Sequence, residues 1–540
     1  MPLLQNYFDW GAPVTFWYDQ PTNLMVYDTA LSDKETQYFH DAVKLHNGYL
    51  AVPANLYNCQ VAQHLKLPIV PPVNDETYDW PIKKPWRPRE HQRIMTNFMV
   101  TNPRCFNLSD MGTMKTLATL WAADYLMRQN PGMKAIICCP LSIMQRVWGD
   151  AITQNFIGKR TYAILHGTAD KRSRELKKDV DFYIVNFDGV ATGSRVKKHK
   201  IILEGFSREL ADRKDIQIVI IDEASGYKDG TTKRHRIMRS ILVDRPYFWP
   251  LTGTPTPNGP EDAHGLARLV NGAFGESYNS YQNRVMYKIS DFKWVPRFGS
   301  HEEALKLLSP SIRFEMRECT DVPPCTEQMR DVELSAEQAR LYKELKNELT
   351  IQLEKGEVTA VHQAALRWKL IQISQGAVYD ADHTAHAIDC APRISILREV
   401  IEEAARKIII FTPLTSVVHM LFKELDDYSR AMINGEVSVK VRNEIFRRFQ
   451  SDEHPQILIA DPGTMSHGLD LFAASVVVWY GATDKTELYL QANRRIDRPG
   501  QTMPTTIVQL AATPIEREIF RRAATNTSMQ GLILDLVRQQ

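Results

Sequence analysis

The stretch Arg104-Cys-Phe-Asn-Leu-Ser-Asp-Met-Gly-Thr-Met-Lys-Thr116 decides the fold. Its apolar start reads as a short strand, Ser109 to Thr116 as a polar loop, and Leu117-Ala-Thr-Leu-Trp-Ala-Ala-Asp-Tyr-Leu126 as a helix. Strand, glycine-bearing loop and helix in that order are what a phosphate-binding loop requires, because the helix N-terminus presents unpaired N–H groups to an anion. On that reading the backbone around Gly112 and Thr113 cradles phosphates, Lys115 reaches the β- and γ-phosphates, and the Thr116 hydroxyl holds Mg²⁺. One position departs from the pattern. Met114 stands where a Gly is expected before the Lys, so φ freedom is lost and a side chain must find room.

Working outward, Ile216-Gln-Ile-Val-Ile-Ile-Asp222-Glu223-Ala-Ser225 is a β-branched run ending in two carboxylates, as a buried parallel strand would. Asp222 is then a ligand for Mg²⁺ through water, and Glu223 the group that polarises an attacking water. A strand ending in Asp-Glu also occurs for purely structural reasons; its place between the Lys115 loop and Pro250-Leu-Thr-Gly-Thr-Pro255 is what gives it weight. Toward the C-terminus, Gln491-Ala-Asn-Arg-Arg-Ile-Asp-Arg-Pro-Gly-Gln501 carries Arg495 and Arg498 one helical turn apart. Arg keeps its charge and offers a rigid fork of donors, which suits a γ-phosphate whose charge grows during transfer. By itself such a pair means little, since charged helix faces carry many of them.

Read in order, these residues resemble the Snf-type (Swi/Snf) branch of the superfamily-two helicase-like ATPases, over roughly residues 85 to 525. Pro88-Arg-Glu-His-Gln92 looks like the adenine-reading Q motif, Ile136-Ile-Cys-Cys-Pro140-Leu141 like motif Ia, and Val185-Asn186-Phe187 like motif Ib. Asp222-Glu223 resembles motif II, with Ser225 where His is usual, and Leu251-Thr252-Gly253-Thr254-Pro255 resembles motif III. Lys407-Ile-Ile-Ile-Phe411, followed by Thr412, resembles motif IV, and Ser466-His-Gly468-Leu-Asp470-Leu471 resembles motif V with Asp470 where Asn is usual. Val332-Glu-Leu-Ser-Ala-Glu-Gln338 through Tyr342 and Leu370-Ile-Gln-Ile-Ser-Gln-Gly376 fit the linking segments of the branch. His467-Gly468-Leu469, Val478-Trp479-Tyr480-Gly481 and Glu487-Leu-Tyr-Leu-Gln491 resemble its bacteriophage members. The resemblance implies an α/β protein with two RecA-like parallel-sheet lobes. It implies ATP and Mg²⁺, with Gln92, Gly112, Thr113, Lys115, Thr116, Gly468 and Asp470 at the nucleotide and Asp222, Glu223, Arg495 and Arg498 in catalysis. It also implies DNA, contacted through Pro140, Leu141, Asn186, Thr254, Thr412 and Ser466.

The length of 540 residues suggests three to four domains, and 44% hydrophobic residues suffice for several cores. No apolar run is long enough to span a bilayer, and Met1-Pro-Leu-Leu-Gln lacks the features of a secretion signal, so a soluble, cytoplasmic protein is expected, in a bacterial host cell if phage-encoded. Seven Cys show neither paired CxxC spacing nor a disulfide framework, which points to a reducing compartment and no zinc site. A net charge of +2 requires any nucleic-acid surface to be a local patch. The run Arg195-Val-Lys197-Lys198-His-Lys200 is either such a phosphate contact or a solvated loop.

Residues 1–84 are expected to form a small α+β accessory domain: a hairpin over Val14–Tyr27, a helix from Asp33 to Leu45, a strand at Gly48–Val52 and a helix from Leu56 to Leu65. Gly48-Tyr-Leu-Ala-Val-Pro53 weakly resembles the DNA-recognition module of phage branch-migration helicases, with Ala54 where Arg often stands; the alternative is a cap without ligand contacts. Pro68, Pro71, Pro72, Pro81, Pro85 and Pro88 mark a stiff tether. Residues 85–260 read as the first lobe, 261–330 as a helical, aromatic-rich insertion, and 331–540 as the second lobe. In the insertion Tyr278, Tyr281, Tyr287, Phe292 and Trp294 are read as packing rather than as a stacking surface. The expected activity is that of a monomeric, DNA-stimulated ATPase translocating on duplex or branched DNA, working with replication or recombination proteins. An unwinding or branch-migrating helicase and an ATP-binding scaffold with little turnover are the alternatives.

Overall fold

The protein's structure, a computed structural model, describes residues 15–28, 31–46, 48–197, 200–290, 293–319, 322–354, 360–380, 382, 384–404, 406–465, 471–498 and 500–523. It forms two units, one running to Ile289 and resuming from Trp294 to Cys319, the other occupying most of the chain from Thr320 onward.

At the N-terminus β1 (Thr15–Asp19) and β2 (Leu24–Asp28) form the expected antiparallel hairpin. The expected long helix is cut short. α1 (Asp33–Thr36) starts on a capping box between Ser32 and Glu35, but the chain turns at Asp41, which sits at φ 55°, and pairs as β3 (Val43–Lys44) with β4 (Leu50–Pro53). Asn58 of α2 (Leu56–His64) fixes that turn: its buried side chain accepts from the His40 amide and donates to the carbonyls of His40 and Pro53. A local hydrogen-bond demand thereby overrides helix propensity.

The proline-rich segment is not a free tether. The Tyr27 hydroxyl donates to the Pro68 carbonyl at 2.7 Å, Asn97 exchanges two hydrogen bonds with the Val73 backbone at 2.9 and 2.8 Å, and Trp121 Nε1 donates to the Pro81 carbonyl at 2.7 Å. Val73, Tyr78 and Trp80 are buried in the same apolar core as the helices behind the Lys115 loop. The segment is a strap laid on the first lobe.

The lobe itself follows as α3 (Glu90–Thr101), β5 (Phe106–Asn107), α4 (Lys115–Gln129), β6 (Lys134–Cys139), α5 (Asp150–Asn155), β7 (Tyr162–Leu165), α6 (Ala169–Leu176), β8 (Phe182–Asn186), the hairpin β9 (Arg195–Lys197) and β10 (Lys200–Ile202), α7 (Gly205–Asp212), β11 (Ile216–Asp222), α8 (Lys233–Ile241) and β12 (Tyr247–Leu251). Then come α9 (Ala263–Val270), α10 (Tyr278–Val285), β13 (Met286–Ser290), β14 (Lys293–Pro296), α11 (Ser300–Leu307), β15 (Ser311–Ile312) and α12 (Met316–Cys319). Seven strands form one parallel sheet in the order β15-β5-β12-β11-β6-β8-β7. Its two faces explain the continuous apolar runs. Ile136, Cys138, Val219 and Ile221 enter one core, while Ile137, Cys139, Ile218 and Ile220 enter the other. Alternate residues of one strand are buried on opposite sides, so the adjacent Cys138 and Cys139 face different helical layers. Most of residues 261–319, expected as part of an insertion, namely 261–289 and 294–319, belong to this unit, and β15 adds the edge strand beside β5, with Ser311 opposite Phe106. Tyr281 is buried there and donates to the Pro260 carbonyl, whereas Tyr278 and Tyr287 are exposed.

The second unit comprises β16 (Cys325–Asp331), α13 (Ala336–Glu354), α14 (Ala360–Gln375), the ribbon β17 (Ala377–Tyr379) and β18 (Ala385–Ala387), α15 (Ala391–Glu403), β19 (Lys407–Phe411), α16 (Thr415–Glu424), β20 (Arg430–Ile433), α17 (Val439–Ser451), β21 (Ile457–Ala460), β22 (Ala474–Trp479), α18 (Thr486–Asn493) and β23 (Thr505–Ala511). Six strands form a second parallel sheet, ordered β16-β23-β22-β19-β21-β20. β19 divides its residues as β11 does, Ile409 and Phe411 into one core and Ile408 and Ile410 into the other. Two parallel sheets with helices and a small antiparallel N-terminal sheet are the architecture expected from the sequence.

Candidate nucleotide site and nucleic-acid surfaces

The loop between β5 and α4 ends in a left-handed residue. Met114 takes φ 57° and ψ 33°, the conformation that a Gly at this position would adopt freely, and its exposed side chain lies clear of the core. Gly112 precedes it at φ 86°. No side chain caps α4, and the amides of Lys115 and Thr116 have no acceptor among the described residues. Such a helix N-terminus satisfies its orphan donors with an anion. Lys115 is buried, its ammonium donating to the Ser109 carbonyl at 3.1 Å.

Two residues of α3 brace the loop from below. His91 Nε2 meets the Thr113 carbonyl at 3.1 Å, which requires the Nε2–H tautomer, and burial pushes the imidazole pKa down to about 4. Gln92, expected to read adenine, is almost fully buried, accepts from the Arg89 amide and donates to the Met114 carbonyl at 3.5 Å.

Asp222 closes β11 beside this loop. One carboxylate oxygen accepts from Trp148 Nε1 at 2.9 Å and the other from the Glu223 amide at 3.0 Å. Burial raises the Asp222 pKa against the pull of the Lys115 ammonium and of those two donors. A buried carboxyl beside an ammonium at a helix N-terminus is an arrangement suited to a phosphate and its counter-cation. Glu223 adopts φ 53° and ψ 51°, a sharp left-handed break straight after the strand. Ser225 is buried in the short turn that follows. Gly253 lays the Thr252–Thr254 turn on the loop: a methyl there would lie 3.5 Å from both the Met111 amide nitrogen and the Ser109 carbonyl. The buried Thr254 hydroxyl has no hydrogen-bond partner among the described residues.

Three supports escape sequence reading. Trp148 lies on a π-helical turn, Met144–Gly149, far along the chain from Asp222. Arg313, nearly buried, reaches the Asp110 carboxylate at 3.1 Å, while the Asp110 amide donates to the Phe314 carbonyl and the Ser109 hydroxyl accepts from the Phe314 amide. His91 stood inside the Q-like motif, yet nothing in its spacing indicated the Thr113 contact.

Of the expected nucleic-acid contacts in this unit, Pro140 and the exposed Leu141 follow β6 directly, and Asn186 ends β8 with its side-chain carbonyl accepting from Arg172 at 3.1 Å. Lys197 lies in β9, and Lys198 falls outside the described residues.

In the second unit, Ser466, Gly468 and Asp470 fall outside the described residues. Thr412 is buried and donates to the Gln375 side chain at 3.0 Å. α18 ends at Asn493, whose side-chain oxygen accepts from Trp479 Nε1 at 2.8 Å. Arg495 and Arg498 therefore lie on the turn beyond the helix rather than on its face. That turn is held by the Leu471 amide on the Arg495 carbonyl, the Gln501 amide on the Arg498 carbonyl, and the Gln501 side chain on the carbonyls of Ala474 and Ile496.

Residues 91–376 match the SNF2-related domain and residues 392–500 the helicase conserved C-terminal domain. The p41 protein of Acyrthosiphon pisum secondary endosymbiont phage 1 is 23% identical over 85% of this chain and the whole of its own length. The chicken DNA repair and recombination protein RAD54-like is 23% identical over 83% of this chain, which spans 67% of that protein. Protein CHROMATIN REMODELING 4 of Arabidopsis thaliana is 20% identical over 68% of this chain, which spans 17% of that protein. The SWI2/SNF2 ATPase core of Sulfolobus solfataricus, solved in complex with dsDNA, is 21% identical, with 84% of this chain and 94% of that chain covered and a TM-score of 0.40. With the SNF2-related match taking in more than half of its length, both strand-end carboxylates and the Lys115 loop included, the chain belongs to the SNF2-related family of helicase-like ATPases.

Proposed function

We propose that this protein is an ATP-dependent DNA translocase acting on duplex or branched DNA. The observation that carries the reading is the uncapped N-terminus of α4 with Lys115 at its start and the buried, doubly hydrogen-bonded Asp222 beside it. Lys115 and the α4 amides hold the phosphates of ATP, and Glu223 orients the attacking water. Mg²⁺, when bound by Thr116 and through water by Asp222, supplies neutralising charge to the phosphate oxygens. Arg495 and Arg498 are the candidates for arginine fingers, whose fixed charge suits a phosphoryl group in transfer. Motifs Ia, Ib, IV and V track the DNA.

Two observations bear on the rival readings. Met114 already has the left-handed backbone that the loop demands, which favours a working loop over a scaffold of little turnover. The N-terminal sheet, together with a relative named for repair and recombination, favours branched substrates, and strand displacement on forked DNA tests for unwinding. The deciding measurement is phosphate release with and without duplex DNA. The wild type should be stimulated, and Glu223→Gln should keep ATP binding while losing turnover. Full turnover in Glu223→Gln removes the assigned base, and a wild type indifferent to DNA removes the translocase.

A further inference from the structure

The loops that follow Glu223 and Pro255 open with α8 and α9 onto a cavity of about 1110 Å³, to which no residue of the Lys115 loop contributes. α8 reads Lys233-Arg-His-Arg-Ile-Met-Arg-Ser-Ile241 and contains no carboxylate. Arg236 and Arg239, at i and i+3, line the cavity together with Arg268 of α9. Arg234 has Asp188 at 4.0 Å, but among the described residues Arg236, Arg239 and Arg268 make no ion pair. The three guanidiniums feel one another: burial lowers the Arg268 pKa, and Arg239 and Arg236 lower it further.

His235, also on the wall, is nearly fully buried. Its Nε2 is satisfied by the Gly265 carbonyl at 2.8 Å, while Nδ1 is buried without a hydrogen-bond partner. The carboxylates of the wall are held by neighbours or by burial. Asp229 accepts from the Thr231 amide and hydroxyl, Asp262 accepts from the Asn258 amide at 2.8 Å and lies 3.6 Å from the Lys228 ammonium, and burial pushes the Glu261 pKa upward. Four cations, Lys228 among them, face three carboxylates on the wall, and the three arginines without an ion pair converge on one open cavity that suits an anion, since guanidinium forks match phosphate oxygens in pairs. Helix positions i and i+3 stand about 5–6 Å apart at Cβ, so Arg236 and Arg239 present successive contacts rather than one. The exposed ring of Tyr278 lies alongside, edge-on to His264 at 5.6 Å.

We propose that this cavity is a docking site for consecutive phosphates of a nucleic-acid backbone, held by Arg236, Arg239 and Arg268, with Tyr278 available to a base or sugar. The proposal rests on the translocase reading and adds a contact surface outside motifs Ia, Ib and III. It is tested by fluorescence anisotropy with a labelled duplex oligonucleotide at several salt concentrations. In the double variant Arg236→Ala/Arg239→Ala the apparent Kd should rise roughly tenfold or more, and the slope of log K against log salt should flatten by about 0.9 per lost contact. Arg236→Lys/Arg239→Lys should keep the slope while losing part of the affinity. Arg239 is exposed, so Arg239→Glu should leave the melting temperature unchanged and still weaken DNA binding, which covers misfolding of the double variant. Wild-type affinity and slope in Arg239→Glu and the Ala pair overturn the site. So does a melting-temperature rise with tripolyphosphate that the Ala pair abolishes while its DNA binding stays intact, an outcome that reassigns the cavity to a small anion. A wild type that binds no DNA sinks the translocase reading together with the site, whereas equal binding by wild type and variants sinks the site alone.

Discussion

Met114 holds a backbone conformation that costs an L-residue roughly 1 kcal/mol, and it does so at the entrance to α4. Replacement by Gly relieves that strain but loosens the unfolded chain, and the two effects offset to within about 1 kcal/mol. Met114→Gly should therefore leave both melting temperature and turnover near the wild type, whereas Met114→Val, β-branched at positive φ, should cost about 1–2 kcal/mol in denaturant titration. A large rise in turnover with Gly would mark the loop as degenerate. His91 gives the same loop a pH dependence. Its folded pKa of about 4 lies below the ordinary 6.5, so the neutral form belongs to the fold. The stability tied to it is complete above pH 6.5 and is lost as pH falls from there toward 4, up to about 3 kcal/mol. Melting curves across that window should steepen for the wild type relative to His91→Gln, which cannot titrate; identical curves would assign the loss to other groups.

At the scale of elements, the nucleotide loop is braced by segments remote in sequence. β15 and the residues after it pin Asp110 through the Arg313 guanidinium, the Phe314 carbonyl and the Met316 amide. Removing one partner of an almost buried ion pair leaves the other charge uncompensated, so Arg313→Ala should cost about 3 kcal/mol and weaken ATP binding, while Arg313→Lys should recover part of both. Trp148 makes a sharper case, because its N–H bears on Asp222 directly. Trp148→Phe keeps most of the ring's apolar area and removes only that donor, at a cost of about 1.5–3 kcal/mol for a hydrogen bond to a charged group. The same variant should raise the Asp222 pKa further. The acid limb of the pH–rate profile should move to higher pH, and an unmoved limb would show that the indole serves packing alone.

For the whole molecule, the proline-rich strap ties the N-terminal sheet, which keeps a small core of its own, to the core of the first lobe. Tyr78 donates to the buried Asp124 at 2.6 Å, and Arg160 and Arg128 complete that charge cluster. Truncation at residue 67 should keep the strap and a melting temperature near the full-length value. Truncation at residue 84 strips Val73, Tyr78 and Trp80 from the core, each worth about 1.5–3 kcal/mol, and should leave a protein that unfolds early or fails to accumulate. Equal stability of the two truncations would make the strap dispensable. The second unit has its own anchor, the fully buried Arg393–Glu516 pair at 2.7 Å, with the Thr513 and Ala512 amides also on Glu516. Glu516→Gln should destabilise it by about 3–5 kcal/mol, read in chemical denaturation.

The sequence by itself determined the two parallel sheets, because strands buried on both faces must be apolar along their central residues, as residues 218–221 and 408–411 are. It also determined the order of the phosphate loop and the strand-end carboxylates, since backbone amides, a lysine and an Asp-Glu pair leave a local signature. Its limit is locality. The helix expected through Leu45 failed against one buried amide at Asn58, and Arg495 and Arg498 fall on a turn because Trp479, through Asn493, and Gln501 fix one there. Trp148 on Asp222, Arg313 on Asp110 and the strap on α3 are pairings across tens to hundreds of residues, for which periodicity and propensity carry no term. Only tertiary packing decides them, because a buried donor must find whichever acceptor the folded backbone brings within reach.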